Sequence, residues 1–240
     1  MVGYPAGHRL PVHEHDYGQL AYAASGFLTV HAAEASWVVP ADRAAWIPAG
    51  ARHSLATRVR TRLHSVYLPA PVAAGLGTET TVVEVTPLVR ELIAHIVSRG
   101  PLNLTVGAER RLVDVLVDQI RLLDVAALEL RSPVDARARD AAELLREQPG
   151  RLPADVARAV GTSRRTLERC FLAETGVALG RWRQRAQILR AMELLAAGTS
   201  VTEAGTLVGY ATASAFIAAF RRVTGTTPGR FLESPARASA

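Results

Sequence analysis

Residues 152–176 read LPADVARAVGTSRRTLERCFLAETG. Val156, Ala159, Val160, Leu167 and Phe171 recur at helical spacing and form one apolar seam. The spacing predicts a short helix over 154–160 that stops at Gly161. A second helix is expected after Ser163, whose hydroxyl can accept from the exposed N–H groups of a first turn. Arg164, Arg165 and Arg169 then fall on or near its outer face. That is the layout of a support helix, a tight glycine turn and a reading helix with a free polar face. The pattern recurs in residues 201–225, VTEAGTLVGYATASAFIAAFRRVTG. Gly209 corresponds to Gly161, Phe220 to Phe171, and Thr224-Gly225 to Thr175-Gly176, an offset of about 48 residues. Between the two units, residues 179–197 predict a helix with Trp182, Ile188, Leu189, Met192, Leu194 and Leu195 on its apolar side. Such a helix is about 28 Å long. Successive major-groove segments on one face of a duplex recur at roughly 34 Å.

The charge distribution agrees with that reading. The chain has 240 residues, with 28 basic side chains, all arginine, against 22 acidic ones. Residues 1–135 carry net −1 and residues 136–240 carry net +7. A basic segment beside a neutral one points to a polyanionic partner for the former. The 49% apolar content allows a packed core, and a single cysteine rules out an internal disulfide framework. No run of 18 apolar residues occurs, and residues 1–5 do not begin a secretory signal. A cytoplasmic location and no membrane partner are therefore expected.

The N-terminal half reads differently. Apolar runs at 19–23, 27–30, 36–39 and 63–68, separated by turn-forming residues, predict short strands of a barrel or sandwich. Helical spacing then sets in over 87–100 and 107–130. The apolar faces of these two helices serve either to cover the barrel or to build a homodimer interface. The fold class is α+β in two domains: residues 1–130, a linker at 131–136, and an all-α tandem helix-turn-helix domain over 137–240.

The histidines fall in a pattern. His13 and His15, if on a strand, share a face because side chains alternate. Gln19 can join them across a bend or from an adjacent strand, and a turn at 48–52 brings up His53. Three imidazoles and an amide oxygen suit Zn, Ni, Fe, Co or Mn. The same groups can instead bind a small ligand without metal, or simply face the interior. His64, on an apolar strand, is expected in the core, while His8 and His31 are expected at the surface. Trp37, Trp46, Ile47 and Tyr67 are either pocket-side groups for an organic ligand or plain core, and Cys170 reads as core.

Two resemblances follow from these residues. Gly209-Tyr210, Ser214-Ala215-Phe216, Phe220-Arg221-Arg222 and Pro228 through Phe231, with the first unit's Ser163 through Leu167, Arg169 and Phe171, resemble the AraC/XylS-type transcription regulators. The resemblance covers residues 137–233. It implies binding to a double-stranded DNA operator and recruitment or obstruction of RNA polymerase. Carried over by position, it puts Arg165, Thr166, Glu168 and Arg169 against base edges and Arg164 against a base or phosphate. In the second unit it puts Thr212, Ala213, Ser214 and Ile217 on the matching face, with Arg221 and Arg222 gripping phosphate. The alanines of that second helix make the first the main reader of sequence.

Gly7-x5-His13-x-His15-x3-Gln19-x6-Gly26 with Pro48-x-Gly50-x2-His53 resembles both motifs of the cupin barrel, over residues 7–70. This implies a small barrel with His13, His15, Gln19 and His53 as metal ligands. Gln19 replaces the usual motif-one glutamate, and Thr57 replaces the usual final asparagine of motif two. The expected whole is a non-enzymatic regulator whose barrel senses a metal ion or small-molecule effector. The rival from another class is a metal-dependent cupin oxygenase or isomerase with a helical appendage. A third reading is an architectural DNA-binding protein without an effector.

Overall fold

The computed structural model describes residues 2–32, 35–40, 43–57, 59–123 and 129–233. The chain forms two compact units that divide near residue 128. The first contains β1 (Val2–Tyr4), β2 (Arg9–His13), β3 (Tyr17–Ser25), β4 (Phe27–Ala32), β5 (Ala35–Pro40), β6 (Arg43–Ile47), β7 (His53–Ala56), β8 (Thr61–Pro69) and β9 (Thr81–Glu84), then α1 (Pro87–Arg99) and α2 (Gly107–Arg121). One sheet runs β1-β8-β3-β6-β9, and the other runs β5-β4-β7-β2. The pairings of β3 with β6 and β8, and of β7 with β2 and β4, are antiparallel.

Alternation along the strands divides the work of the first sheet. Leu20, Tyr22, Ala44, Trp46, Val66, Leu68 and Val83 point to one face and pack against Val89, Ile93 and Ile96 of α1 and Val113, Leu116, Val117 and Ile120 of α2. The helices therefore cover the sheet, each fully buried aliphatic side chain contributing about 1.5–3 kcal/mol. Trp46 belongs to this packed face, where its indole N–H donates to the Gly77 carbonyl at 3.2 Å. That side chain is core and not pocket lining. The opposite face of the same strands carries Gln19 and Ile47 into the barrel.

The second helix ends at Arg121, short of the extent expected from periodicity. Residues 124–128 of the expected helix lie outside the described residues. Residues 129–131 form a strand, β10 (Glu129–Arg131), in place of helix. Leu130 is buried there, and the Arg131 carbonyl accepts from the Trp182 indole at 2.8 Å.

The second unit continues with α3 (Ala136–Glu147), α4 (Pro153–Ala159), α5 (Arg164–Thr175), α6 (Leu179–Ala196), α7 (Val201–Leu207), α8 (Ala213–Thr224) and α9 (Pro228–Glu233). The segment 131–136 is tied to this unit. The Ser132 hydroxyl accepts from Arg146 at 2.7 Å, and the Val134 and Asp135 amides donate to the Glu174 carboxylate at 2.7 and 3.0 Å. Asp135 caps α3 by accepting from the Ala138 amide. Residues 234–240 of the domain expected over 137–240 lie outside the described residues.

The central helix α6 is buried almost all round, through Leu179, Trp182, Ile188, Leu189, Met192 and Leu195. Two of its polar side chains hold the turns on either side. Arg183 donates to the Gly150 and Arg151 carbonyls at 3.0 and 2.8 Å, and Gln187 donates to the Val208 carbonyl at 2.7 Å. Each reading helix packs on its own support helix and on α6: α5 on α4, and α8 on α7. No helix among the described residues is long and apolar enough to cross a membrane.

Candidate functional site

His13 and His53 sit directly opposite one another on β2 and β7, with ring centroids 4.3 Å apart. His15 does not share a strand with His13, because β2 ends at His13. Instead the motif-two turn holds it: the Gly50 amide donates to the His15 carbonyl at 2.8 Å. Gln19 enters from β3 in the other sheet. The four residues thus come together from both sheets. One ligand atom from each of the three histidines lies within 4.8 Å of the others. His53 is buried, His15 half-buried and His13 exposed, so the cluster is closed on one side and open on the other.

The hydrogen bonds assign the ring protons. Nδ1 of His13, His15 and His53 lies 2.8, 2.6 and 2.8 Å from the carbonyls of Pro11, Tyr17 and Ala51. A carbonyl only accepts, so each Nδ1 carries a proton, and Nε2 is the ring atom left to face the cluster. This backbone anchoring fixes ring tautomer and orientation, as it does around metal-bound histidines. Gln19 Nε2 donates to the Ser65 hydroxyl at 2.9 Å, which leaves Oε1 facing His15 Nε2 at 3.2 Å. His53 Nε2 is buried and has no hydrogen-bond partner among the described residues. A cation in this position satisfies all of these atoms, so the residues fit a divalent metal.

Burial lowers the His53 pKa from its ordinary 6.5, and the neighbouring His13 and His15 add to that, outweighing the Ala51 carbonyl. His64 is lowered as well, first by desolvation and then by the positive charge of Arg62. It does not join the cluster. It occupies the helix-covered face of β8 opposite Tyr22, with both ring nitrogens buried and unpartnered among the described residues. Expected as a core histidine with its hydrogen bonds made, His64 is instead half-buried, and neither ring nitrogen has a hydrogen-bond partner among the described residues. Both lowered values make the unfolded chain bind more protons below pH 6.5 than the folded one. Stability is whole above 6.5 and is lost as pH falls from there through the lowered folded values. Thermal unfolding of metal-free protein should show the melting temperature dropping between pH 7.5 and 5. His64→Leu should flatten part of that drop. A pH-independent melting temperature would contradict the assignment. His8 and His31, expected at the surface, are half-buried, and His8 stacks on Tyr4 at 4.7 Å.

In the second unit the repeat holds down to single hydrogen bonds. Ser163 caps α5 by accepting from the Thr166 amide, and Thr212 caps α8 by accepting from the Ala215 amide. Both helices close on a left-handed glycine, Gly176 and Gly225. Just before it, the Thr175 and Thr224 hydroxyls donate back to the Phe171 and Phe220 carbonyls at 2.6 and 2.9 Å. Phe171 and Phe220 are fully buried. Arg164, Arg165, Glu168 and Arg169 are exposed on α5, and Ser214, Ile217, Arg221 and Arg222 on α8. Ala213 is half-buried. Arg164 pairs with Glu168 at 2.8 Å, whereas Arg165 and Arg169 extend without an ion pair among the described residues. The hydroxyls of Thr166 and Thr212 are engaged at the helix N-termini. Cys170 is half-buried, not core.

Sequence reasoning had no signal for Tyr17 as a neighbour of this cluster. Its ring stacks on His15 at 4.3 Å. Tyr67 stands beside Gln19 across the β3–β8 pairing.

Comparisons with known proteins agree with both halves. An AraC-like ligand binding domain model matches residues 3–123, and a helix-turn-helix domain model matches residues 156–234. The HTH-type transcriptional regulator NimR of Escherichia coli (strain K12) is 32% identical over 224 residues, 92% of this chain and 82% of that protein. The HTH-type transcriptional regulator RipA of Corynebacterium glutamicum is 38% identical over 101 residues, 41% of this chain and 30% of that protein. Among solved structures, ToxT from Vibrio cholerae is 13% identical, covering 96% of this chain and 95% of that one with a TM-score of 0.41. The DNA-binding domain of AdpA in complex with a target DNA is 28% identical, covering 42% of this chain and 92% of that one with a TM-score of 0.38. With a ligand-binding domain ahead of a duplicated helix-turn-helix, and a regulator matched over most of both lengths, the chain belongs to the AraC-type helix-turn-helix transcription regulators.

Proposed function

We propose that this regulator is controlled by a divalent transition metal (Zn, Ni, Fe, Co or Mn) bound by His13, His15, His53 and Gln19, with a small molecule joining it as effector. The observation that carries the reading is the convergence of one ligand atom from each of His13, His15 and His53 within 4.8 Å of one another, with Gln19 Oε1 3.2 Å from His15 Nε2. The buried His53 Nε2, without a hydrogen-bond partner among the described residues, gains one when a cation binds there. The metal, when bound, supplies a Lewis-acidic centre with room for a further ligand. Control of DNA binding requires that the effector bind two states of the protein with different affinity. Elemental analysis of protein purified without an imidazole-based tag, with operator binding measured before and after chelation, tests this. Less than about one-tenth equivalent of any transition metal, with binding indifferent to chelation, overturns it.

The DNA contacts are assigned to the exposed faces of the reading helices. Arg165 and Arg169 on α5 are placed to read guanine through the bidentate guanidinium fork, at about 1–3 kcal/mol each. Arg164 and Glu168 hold each other in the free protein and open toward base or phosphate on binding. Thr166 and Thr212 set the helix starts, while Ala213, Ser214 and Ile217 give α8 small polar and methyl contacts. Arg221 and Arg222 serve phosphate, so affinity should fall steeply with salt. Arg169→Ala should weaken a specific site by roughly 5- to 150-fold and random DNA much less. Equal losses on both, in a gel-shift titration at fixed salt, would remove Arg169 from base reading.

Dimerisation is assigned to α2, whose outward face carries Arg111, Val115, Asp118 and, just past its end, Leu122. An antiparallel pairing about Val115 sets Arg111 of one copy against Asp118 of the other, a self-complementary arrangement. Val115→Arg should shift sedimentation from dimer to monomer at micromolar concentration. A wild-type chain that sediments only as monomer contradicts it.

A further inference from the structure

The cluster's donors are three imidazoles and one carboxamide, all uncharged. No aspartate or glutamate joins it among the described residues. The nearby Glu14 pairs instead with Arg52 at 3.9 Å, and both side chains are exposed. A divalent ion held here keeps both of its charges. Charge in a partly dry pocket is costly unless an anion accompanies it.

The open side of the cluster has a particular lining. His13 is exposed, and two exposed tyrosines, Tyr17 and Tyr67, lie against its neighbour His15. Tyr17 lies flat on His15, with an interplanar angle of 9°, and meets Tyr67 edge to face at 4.9 Å. Tyr67 also lies edge-on to His15 at 6.1 Å. The rings are 37% and 53% exposed, so an apolar aromatic wall faces solvent beside a polar cluster. Such a wall suits a flat ring that stacks or packs edge-on.

We infer that this mouth takes a flat anionic chelator: an aromatic ring with two neighbouring oxygen donors, of the catecholate class. The anion compensates the charge that Gln19 leaves uncompensated, and the ring is covered by Tyr17 and Tyr67. The inference rests on the metal reading above. On binding, each catechol oxygen that becomes a donor gives up its proton to solvent, and nothing is oxidised or reduced.

The test uses the full chain loaded with Co2+, titrated with catechol and, for comparison, with phenol. The readouts are the visible absorption of the cobalt and calorimetry in two buffers of different ionisation heat. Catechol should shift the cobalt band, release protons, and bind at least about tenfold tighter to loaded than to metal-free protein. Phenol should leave the band unmoved. Tyr67→Ala should weaken catechol by roughly tenfold at unchanged cobalt stoichiometry. Gln19→Glu should keep the cobalt and weaken catechol, because a carboxylate then supplies the negative charge. If the chain holds one cobalt but catechol leaves the band unmoved, strips the metal, or binds no better than phenol, the inference is overturned while the metal reading stands. If the chain holds no cobalt at the loading step, both fall.

Discussion

Replacing Gly209 by alanine is expected to destabilise the C-terminal unit by about 2–4 kcal/mol, against about 1 kcal/mol for Gly161→Ala. The two glycines occupy matching turns of the repeat, and both have left-handed backbones, with φ of +91° and +66°. Both substitutions therefore incur the strain of a Cβ at positive φ. Only one meets an obstacle. A Cβ at Gly161 touches nothing within 4 Å, whereas one at Gly209 comes 2.6 Å from Gly150 Cα and 3.3 Å from its carbonyl oxygen. Those are backbone atoms, and Arg183 and Gln187 of α6 hold the two turns in place. They cannot yield without breaking hydrogen bonds. The same contact fixes the second support-helix turn against the end of α3, so Gly209→Ala should also weaken operator binding more than Gly161→Ala does. Urea unfolding followed by the helical circular-dichroism signal measures the first effect, and gel shift the second. Equal losses at the two glycines would show that the close approach contributes nothing.

Metal at 100 times its dissociation constant should stabilise the N-terminal unit by about 2.7 kcal/mol. For a unit of this size that raises its melting temperature by roughly 10 °C. His53→Ala should abolish the rise, because it removes the buried donor whose Nε2 otherwise has no partner. The substitution also leaves a cavity, so the quantity to compare is the shift on adding metal, not the melting temperature itself. Thr61→Ser, far from the cluster yet buried against the Phe27 backbone, serves as a control that should keep the full shift. A His53→Ala protein that keeps the shift would place the metal elsewhere.

The two halves were not equally legible in the amino-acid order. The helix-turn-helix units stand out because their determinants are local: Ser163 and Thr212 at the caps, Gly176 and Gly225 at the ends, and Phe171 and Phe220 one helical face away. The barrel was harder. Strands β1, β2, β6, β7 and β9 are 3–5 residues long, too short to show a period, and their partners lie tens of residues away. Periodicity also ran α2 on through 122–130, because leucines at helical spacing do not show that residues 129–131 pair as a strand. Trp46 was ambiguous for a similar reason: its side of the sheet depends on register with β3 and β9, which no local pattern encodes.

What the order of residues determined alone was the duplicated reading head, its arginine-rich face and the identity of the candidate donors, since each depends on neighbours within about one helical turn or a known spacing. Only the folded chain decided how the donors meet. It turned every Nδ1 to a carbonyl, brought Gln19 from one sheet to His53 of the other, and set Tyr17 and Tyr67 at the opening. It also pressed Gly209 on Gly150. These are contacts between segments far apart in the chain, and their geometry follows from strand register and helix packing, which are properties of the whole core.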